Sequence, residues 1–146
     1  MLSNFGKGLT RGIELWGQWQ PSPVWRLNWG GVVQHLETSL MPGSHATGVV
    51  NGLSTNDPAH HWMLRTSHDL TDQLQLDLSL RYMGQLPQPV VPSYTELDLQ
   101  LLWKPQPDVE VALLGQNLLH SSHPEFNGAG RSVFDRAALL KLTKRF

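Results

Sequence analysis

The 146-residue chain contains no cysteine, which excludes disulfides and thiolate chemistry and leaves the compartment undefined by cysteine pairing. Its 11 basic and 12 acidic side chains give a net charge of -1. The Lys and Arg residues are few and scattered, and this disfavours nucleic-acid binding. No apolar run approaches the roughly 18 residues of a membrane helix. Membrane strands are not excluded, because the alternating residues of a barrel strand give only a weak hydropathy signal.

What the chain does have is apolar residues at every second position. The clearest segment is Leu74–Tyr82, where four leucines and a tyrosine alternate with polar residues, and Thr95–Trp103 follows the same pattern. A helix would spread these leucines around its circumference, so the alternation favours β-strands. The same pattern is weaker in five further segments: Gly12–Gln20, Trp25–His35, His61–Leu70, Val109–Leu118 and Arg136–Phe146. The prediction is an all-β antiparallel meander of about seven strands in one domain, residues 1–146.

The predicted connections alternate in length along the chain. Outer-membrane barrels have short periplasmic turns and longer extracellular loops, and strands of about 9–11 residues suit a tilted crossing of the bilayer. This asymmetry favours a membrane barrel with a periplasmic C-terminus. The short connections are Pro21–Pro23, Thr71–Gln73 and Pro105–Asp108, and the longer ones are Glu37–Ala59, Gln85–Ser93 and His120–Asp135.

Aromatic residues beside the short turns point the same way. Trp19, Trp25, Trp103 and the terminal Phe146 are in phase with the apolar positions. In a membrane barrel, such aromatics form a girdle at the lipid–water interface, although aromatics also favour strands in general. Alternation alone fits either a membrane barrel with its apolar face toward lipid or a soluble barrel with that face inside. The girdle and the loop asymmetry favour the membrane barrel.

Histidine pairs raise the question of a metal site. His60 and His61 are adjacent, so in a strand they point to opposite faces and do not chelate together. His120 and His123 lie in one predicted loop with Glu125 nearby. A metal ion could bind there, but a structural role for this loop is the favoured interpretation. We therefore predict no metal ligand.

Catalytic patterns are weak. Ser121 and Ser122 lie near His120, but neither an oriented acid nor a nucleophile elbow accompanies them. Glu96 and Asp98 share one strand face about 7 Å apart by the strand rise, loosely as a glycosidase pair would. Alternating charges on a barrel's wet face explain them without chemistry. GAG at residues 128–130 follows no strand-to-helix pattern and is interpreted as loop. We predict no enzymatic activity, no catalytic residue and no cofactor.

A series of short motifs resembles the C-terminal third of the TonB-dependent receptors, the plugged outer-membrane barrels that import iron complexes. The resemblance covers about Gly12 to Phe146, with the motifs in the family's order and spacing. One departure is Lys144, where the family usually has an aromatic; a lysine near the interface could snorkel. The motifs are GIEL at Gly12–Leu15, DPAHHWMLRTSHDL at Asp57–Leu70, RYMGQLPQPVVPSY at Arg81–Tyr94, GQNLL at Gly115–Leu119, HPEF at His123–Phe126 and the terminal LTKRF.

The resemblance implies a partial transmembrane β-barrel, the last third of a wall of about 22 strands around a plug domain. It implies uptake of ferric siderophores or similar metal complexes, a location in the outer membrane of a Gram-negative bacterium, surrounding lipid, and contact with the TonB complex through an N-terminal part. Signal peptide, TonB box and plug are missing from this sequence, so we expect a C-terminal fragment that is inactive alone.

Two alternatives stay open at this point. One is a small standalone outer-membrane barrel, and the other is a soluble, lipocalin-like ligand-binding barrel. In the full receptor, ligand is held by apical loops, plug and inner wall together. The candidates here are the loops 37–59, 85–93 and 120–135, and no individual ligand-binding residue is predicted.

Overall fold

The computed structural model describes residues 6–42, 57–87, 90–125 and 133–146, and seven of its strands form one antiparallel sheet. The order in the sheet is β1-β2-β3-β4-β7-β8-β11, so each of these seven strands pairs with the one before it and the one after it among the seven. This confirms the predicted all-β meander. The seven are β1 (Gly6–Ser22), β2 (Trp25–Leu40), β3 (His60–Thr71), β4 (Leu74–Met83), β7 (Tyr94–Gln106), β8 (Val109–Gln116) and β11 (Ala137–Lys144).

Two small hairpins, absent from the sequence prediction, lie within the longer connections. β5 (Leu86–Pro87) pairs with β6 (Val90–Val91), and β9 (Ser122–Pro124) pairs with β10 (Val133–Asp135). Each of these four strands has only two or three residues, too few for alternation to show in the sequence. The predicted loops 37–59, 85–93 and 120–135 lie partly outside the described residues, and the GAG segment lies wholly outside them.

The sheet has an apolar face and a polar face. Cross-strand register places Leu78 opposite Leu99, Leu101 opposite Leu113, and Leu113 opposite Leu140, so the alternating leucines gather on one side. That side, the apolar face, is largely uncovered. Exposed fractions reach 67% at Ile13, 65% at Val33, 69% at Leu140 and 71% at Leu142. Among the described residues, the only buried apolar side chains are Val32, Val91 and Ala112. The sheet is thus a single layer without a conventional core.

The three short connections share one construction, which marks what we call the short-turn end. Each hairpin closes with a two-residue turn: Pro23–Val24, Asp72–Gln73 or Pro107–Asp108. Beside each turn, the register shifts because the first strand carries one more residue than its partner. Such a bulge leaves one residue unpaired and increases the local right-handed twist.

The other end of the strands, where the longer connections lie, is the long-loop end. Here β1 and β2 run further than predicted, and Gly6 pairs with Leu40. β1 has 17 residues and so extends about 56 Å at roughly 3.3 Å per residue, more than an apolar band about 25 Å tall requires. The sequence prediction began only at Gly12, because the stretch before it is too polar and glycine-rich to alternate.

Two predicted strands end earlier than expected. The segment Val109–Leu118 stops at Gln116, because Asn117 adopts a φ of 51° and cannot continue the extended chain. The final strand ends at Lys144, and Phe146 lies beyond it and is fully exposed.

Two tryptophan–glycine pairs join β1 to β2. Trp16 is opposite Gly30, and Trp29 is opposite Gly17. A Cβ at either glycine would overlap the ring of the facing tryptophan, so each ring lies directly over a glycine. Trp16 is on the polar face and Trp29 on the apolar face. Large rings cover these glycines on both faces, as in the aromatic rescue of glycines in designed sheets.

Within the described ranges, no helix is both long enough and apolar enough to cross a membrane.

Candidate functional site

Charged side chains on the polar face pair with one another across strands. Near the short-turn end, Arg26 of β2 donates two hydrogen bonds to the carboxylate of Asp69 on β3, at 2.7 and 2.8 Å. Gln75 donates to both oxygens of Asp77 on the same face of β4, at 3.0 Å. About a third of each Arg26 and Asp69 side chain is exposed, so this face is a wet polar surface.

A denser group lies on the same face at the long-loop end. Arg81 is near the end of β4, and three residues at the start of β7 face it. The remaining three come from the connection between β8 and β11. We call this group the loop-end cluster; it consists of Arg81, Tyr94, Glu96, Asp98, Asn117, His123 and Glu125.

Arg81 is the cation of the loop-end cluster. Its Nε donates to Glu96 Oε2 at 3.0 Å, and its Nη2 contacts that same oxygen. Nη2 also donates to Glu125 Oε1 at 2.7 Å, and the hydroxyl of Tyr94 donates to the same oxygen at 3.2 Å. The guanidinium group lies 5.8 Å from the centre of the Tyr94 ring. Arg81 therefore bridges β4, β7 and the β8–β11 connection.

Asn117 fixes that connection to the sheet and is only 2% exposed. Its backbone N–H donates to Asp98 Oδ1 at 3.0 Å, and its side-chain Nδ2 donates to the carbonyl of Phe134 at 2.8 Å. A positive φ is several-fold more common for asparagine than for most residues, which suits this position. The amide orientation is unambiguous, because the Phe134 carbonyl can only accept. Asn117 Oδ1 must then face the His123 ring, 3.2 Å from Nδ1.

The orientation of the Asn117 amide determines which ring nitrogen of His123 donates to it. The imidazole Nδ1 donates to Asn117 Oδ1, so in the neutral ring Nε2 carries the lone pair. Among the described residues, Nε2 has no hydrogen-bond partner, and it lies 3.5 Å from Glu125 Oε1. The ring is 5% exposed and stacks on Tyr94 at 4.2 Å between centroids. In the neutral ring, the buried lone pair of Nε2 therefore faces a carboxylate.

The residues that the sequence suggested as possible metal ligands lie on different faces of the sheet and differ in exposure. His60 stacks on Tyr82 on the apolar face, and the register of β3 puts His61 on the polar face, as predicted. His120 is exposed, with its ring 6.4 Å from that of His123 and outside the cluster. Glu96, His123 and Glu125 each offer a ligand atom, all within 4.8 Å of one another.

The residues weighed for catalysis form no catalytic arrangement among the described contacts. Ser121 and Ser122 are exposed, and the backbone carbonyl of Ser121 accepts from Arg136 N–H. Glu96 and Asp98 share the polar face as predicted, but each carboxylate has its own partner, Arg81 and the Asn117 N–H.

The aromatic residues of the apolar face group at both ends of the sheet. At the short-turn end, Trp19 and Trp25 lie 6.4 Å apart, and Trp25 stacks on His68 at 5.2 Å. Lys144 also lies there, with its ammonium 5.7 Å from the centre of the Phe146 ring. At the long-loop end, Trp62 stacks on Tyr82 at 5.8 Å. The sequence prediction found the first group and missed the second, because no short turn marks it.

An uncovered apolar face between two aromatic groups, with paired charges on the other face, defines the chain as a piece of the wall of a large antiparallel barrel. Solved structures agree. The chain superposes on the ferric-catecholate import receptor Fiu from E. coli K12 in its closed form with a TM-score of 0.75, at 19% identity over 99% of this chain and 22% of that one. It superposes on a chain of the FpvAI–pyocin S2 complex with a TM-score of 0.72, at 16% identity over 93% of this chain and 20% of that one.

These likenesses establish the fold. The chain spans about a fifth of the length of either solved structure. No family model matches the sequence, and no curated protein matches it.

Proposed function

We propose that this chain is the C-terminal part of the barrel wall of a TonB-dependent outer-membrane receptor for ferric siderophores or similar metal complexes. The observation that carries the proposal is the single-layer sheet with an exposed apolar face, which matches a siderophore-receptor barrel over 99% of the chain. A face with Leu142 71% exposed is stable when lipid covers it.

The polar face supports the same function. In a receptor barrel this face lines the wet interior, and paired charges such as Arg26–Asp69 and Arg81–Glu96 suit that position. The loop-end cluster lies where the longer connections, which are extracellular in such barrels, leave the sheet. Ligand would approach from this side, and the TonB complex would act from the opposite side through other parts of the receptor. The chain itself would carry no catalytic activity.

We propose further that these 146 residues do not transport by themselves. Among the described strands, β1 and β11 each pair on one side only, so the sheet presents two edges. Unpaired backbone groups are costly in lipid, where water cannot satisfy them. A complete wall would have to supply strands to both edges.

The test is a chimera. Residues 1–146 replace the matching 22% of the Fiu chain, and a control chimera carries the Fiu segment itself through the same junctions. Heat-modifiable migration on gels measures barrel assembly, and growth on a ferric catecholate measures import. Assembly at the control's level supports the wall role, and retained growth supports the import role as well.

The opposite result is equally clear. Failure of the chimera to assemble, while the control assembles, would overturn the proposal. So would a monomeric, detergent-free 146-residue chain with a cooperative melt, which is what the soluble lipocalin-like alternative predicts. Closed pores formed by the chain alone in vesicles would favour the small standalone barrel.

A further inference from the structure

We propose that Glu96, His123 and Glu125 form a binding site for a divalent transition-metal cation, and that the bound cation fastens the β8–β11 connection to the sheet. The three residues come from β7, from β9 and from the residue after β9. One imidazole nitrogen and one oxygen of each carboxylate lie within 4.8 Å of one another. This site does not depend on the import function.

The state of His123 is the observation that points to a cation. Its Nδ1 donates to Asn117 Oδ1, so in the neutral ring the lone pair of Nε2 points toward Glu125 from a ring that is 5% exposed. A buried lone pair beside a carboxylate is unfavourable without a positive charge between them. Metal-ligating histidines characteristically donate their other ring N–H to an oxygen acceptor, as His123 does.

The negative net charge of the loop-end cluster would be balanced by a bound dication. Glu96, Glu125 and Asp98 contribute three negative charges when ionised, against one positive charge on Arg81. A dication would bring the sum to zero. Within the described residues, Arg81 uses Glu96 Oε2 and Glu125 Oε1 and no hydrogen bond reaches the second oxygen of either carboxylate. Glu125 Oε1, which lies 3.5 Å from His123 Nε2, also accepts from Arg81 and Tyr94, so Glu125 would offer a metal either this shared oxygen or, after rotation, its second oxygen.

The donor set defines the class of metal. One imidazole nitrogen with two carboxylate oxygens suits zinc and its first-row neighbours, whereas magnesium and calcium prefer oxygen ligands alone. Ligands about 2.0–2.1 Å from zinc lie about 3.3 Å apart in a tetrahedron, so ligand atoms that are now up to 4.8 Å apart need to close by up to about 1.5 Å. Bends at Ser121, which is exposed, and at Glu125, which is half-buried, flank the short strand that carries His123, and the closure would have to occur there.

The test measures zinc binding to the refolded chain in detergent micelles and, in parallel, to the Fiu chimera, with strand content checked by circular dichroism. Zinc chloride alone is the probe, and cobalt absorption in the visible range reports coordination by nitrogen and oxygen. We expect one equivalent bound. His123→Gln should weaken binding by at least the ~10- to 100-fold that loss of a hydrogen-bond partner of a metal ligand costs.

His120→Gln is the matched control, because His120 is in the same connection, exposed, and outside the three residues. It should leave affinity within about twofold. Equal losses in the two variants would overturn the proposal as general surface binding. So would an unchanged zinc affinity for His123→Gln in a protein that retains its strand signal. Because the readout is metal affinity, a failed site and a failed import function are distinguishable.

Discussion

Leu139 and Leu140 offer a direct test of which face meets lipid. They are adjacent in β11, have the same side chain, and are similarly exposed, at 60% and 69%. The register puts Leu140 opposite Leu113 on the apolar face, and Leu139 opposite Leu114 on the polar face. An arginine at either position therefore differs only in the medium that it enters.

The expected cost follows from depth. Leu140 is four residues before Lys144, which pairs with Val109 beside the short turn. Four residues of strand rise about 13 Å, and a tilt of roughly 40° leaves about 10 Å along the membrane normal. In an apolar band about 25 Å tall this is close to the midplane, where an arginine facing lipid costs about 2–4 kcal/mol. Leu139→Arg faces the wet interior and should cost less than about 0.5 kcal/mol.

The assay is reversible urea unfolding of the Fiu chimera in lipid vesicles, followed by tryptophan fluorescence. The predicted result is a gap of at least about 2 kcal/mol between Leu140→Arg and Leu139→Arg. A gap near zero would refute the assignment of the apolar face to lipid, since both leucines would then face the same solvent. A larger cost for Leu139→Arg would reverse the faces.

Two further variant pairs and one single variant test local contacts by the same unfolding assay. Asn117→Ala should destabilise by about 2–5 kcal/mol by leaving Phe134 and His123 groups unpaired, and Asn117→Gly should recover about 1 kcal/mol of this by accepting the positive φ; equal costs would contradict the backbone argument. Gly30→Val should cost about 1–3 kcal/mol by displacing Trp16, whereas Gly8→Val, whose Cβ meets only Thr38 at 3.8 Å, should be near neutral; similar costs would remove the ring-over-glycine explanation. Arg26→Lys should leave the free energy of unfolding nearly unchanged, because the pair with Asp69 is partly exposed, and a clear loss would indicate a buried role.

The sheet was predictable because each strand carries its own signal. In Leu74–Tyr82 the alternation is strict and in Thr95–Trp103 it is interrupted only at Leu102, because the apolar and polar faces of the sheet impose opposite polarity on successive residues. Residues 6–11 of β1 were not predictable as a strand, since their stability comes from pairing with residues 35–40 of β2 rather than from alternation. Hairpins of two or three residues such as β5–β6 depend on their neighbours entirely.

The loop-end cluster was beyond the reach of the sequence for a different reason. Arg81, Glu96, Asn117 and Glu125 are far apart along the chain, and no spacing rule links a strand end to a loop histidine. The motifs GQNLL and HPEF contain Asn117, His123 and Glu125, so the resemblance contained part of the site without showing what it contacts. Only the register of β4, β7 and β8 brings these residues together.

The nearest-neighbour order of the sheet has a consequence for how the chain acquires its structure. Every strand of the seven pairs only with its predecessor and successor along the chain, so the interactions resemble those of a linear array of repeats. Loop closure between successive strands is inexpensive, and growth can start at any hairpin and proceed outward. We expect amide-exchange protection to be highest in the central pair β4–β7 and to fall toward β1 and β11, as in a zipper that frays from both ends.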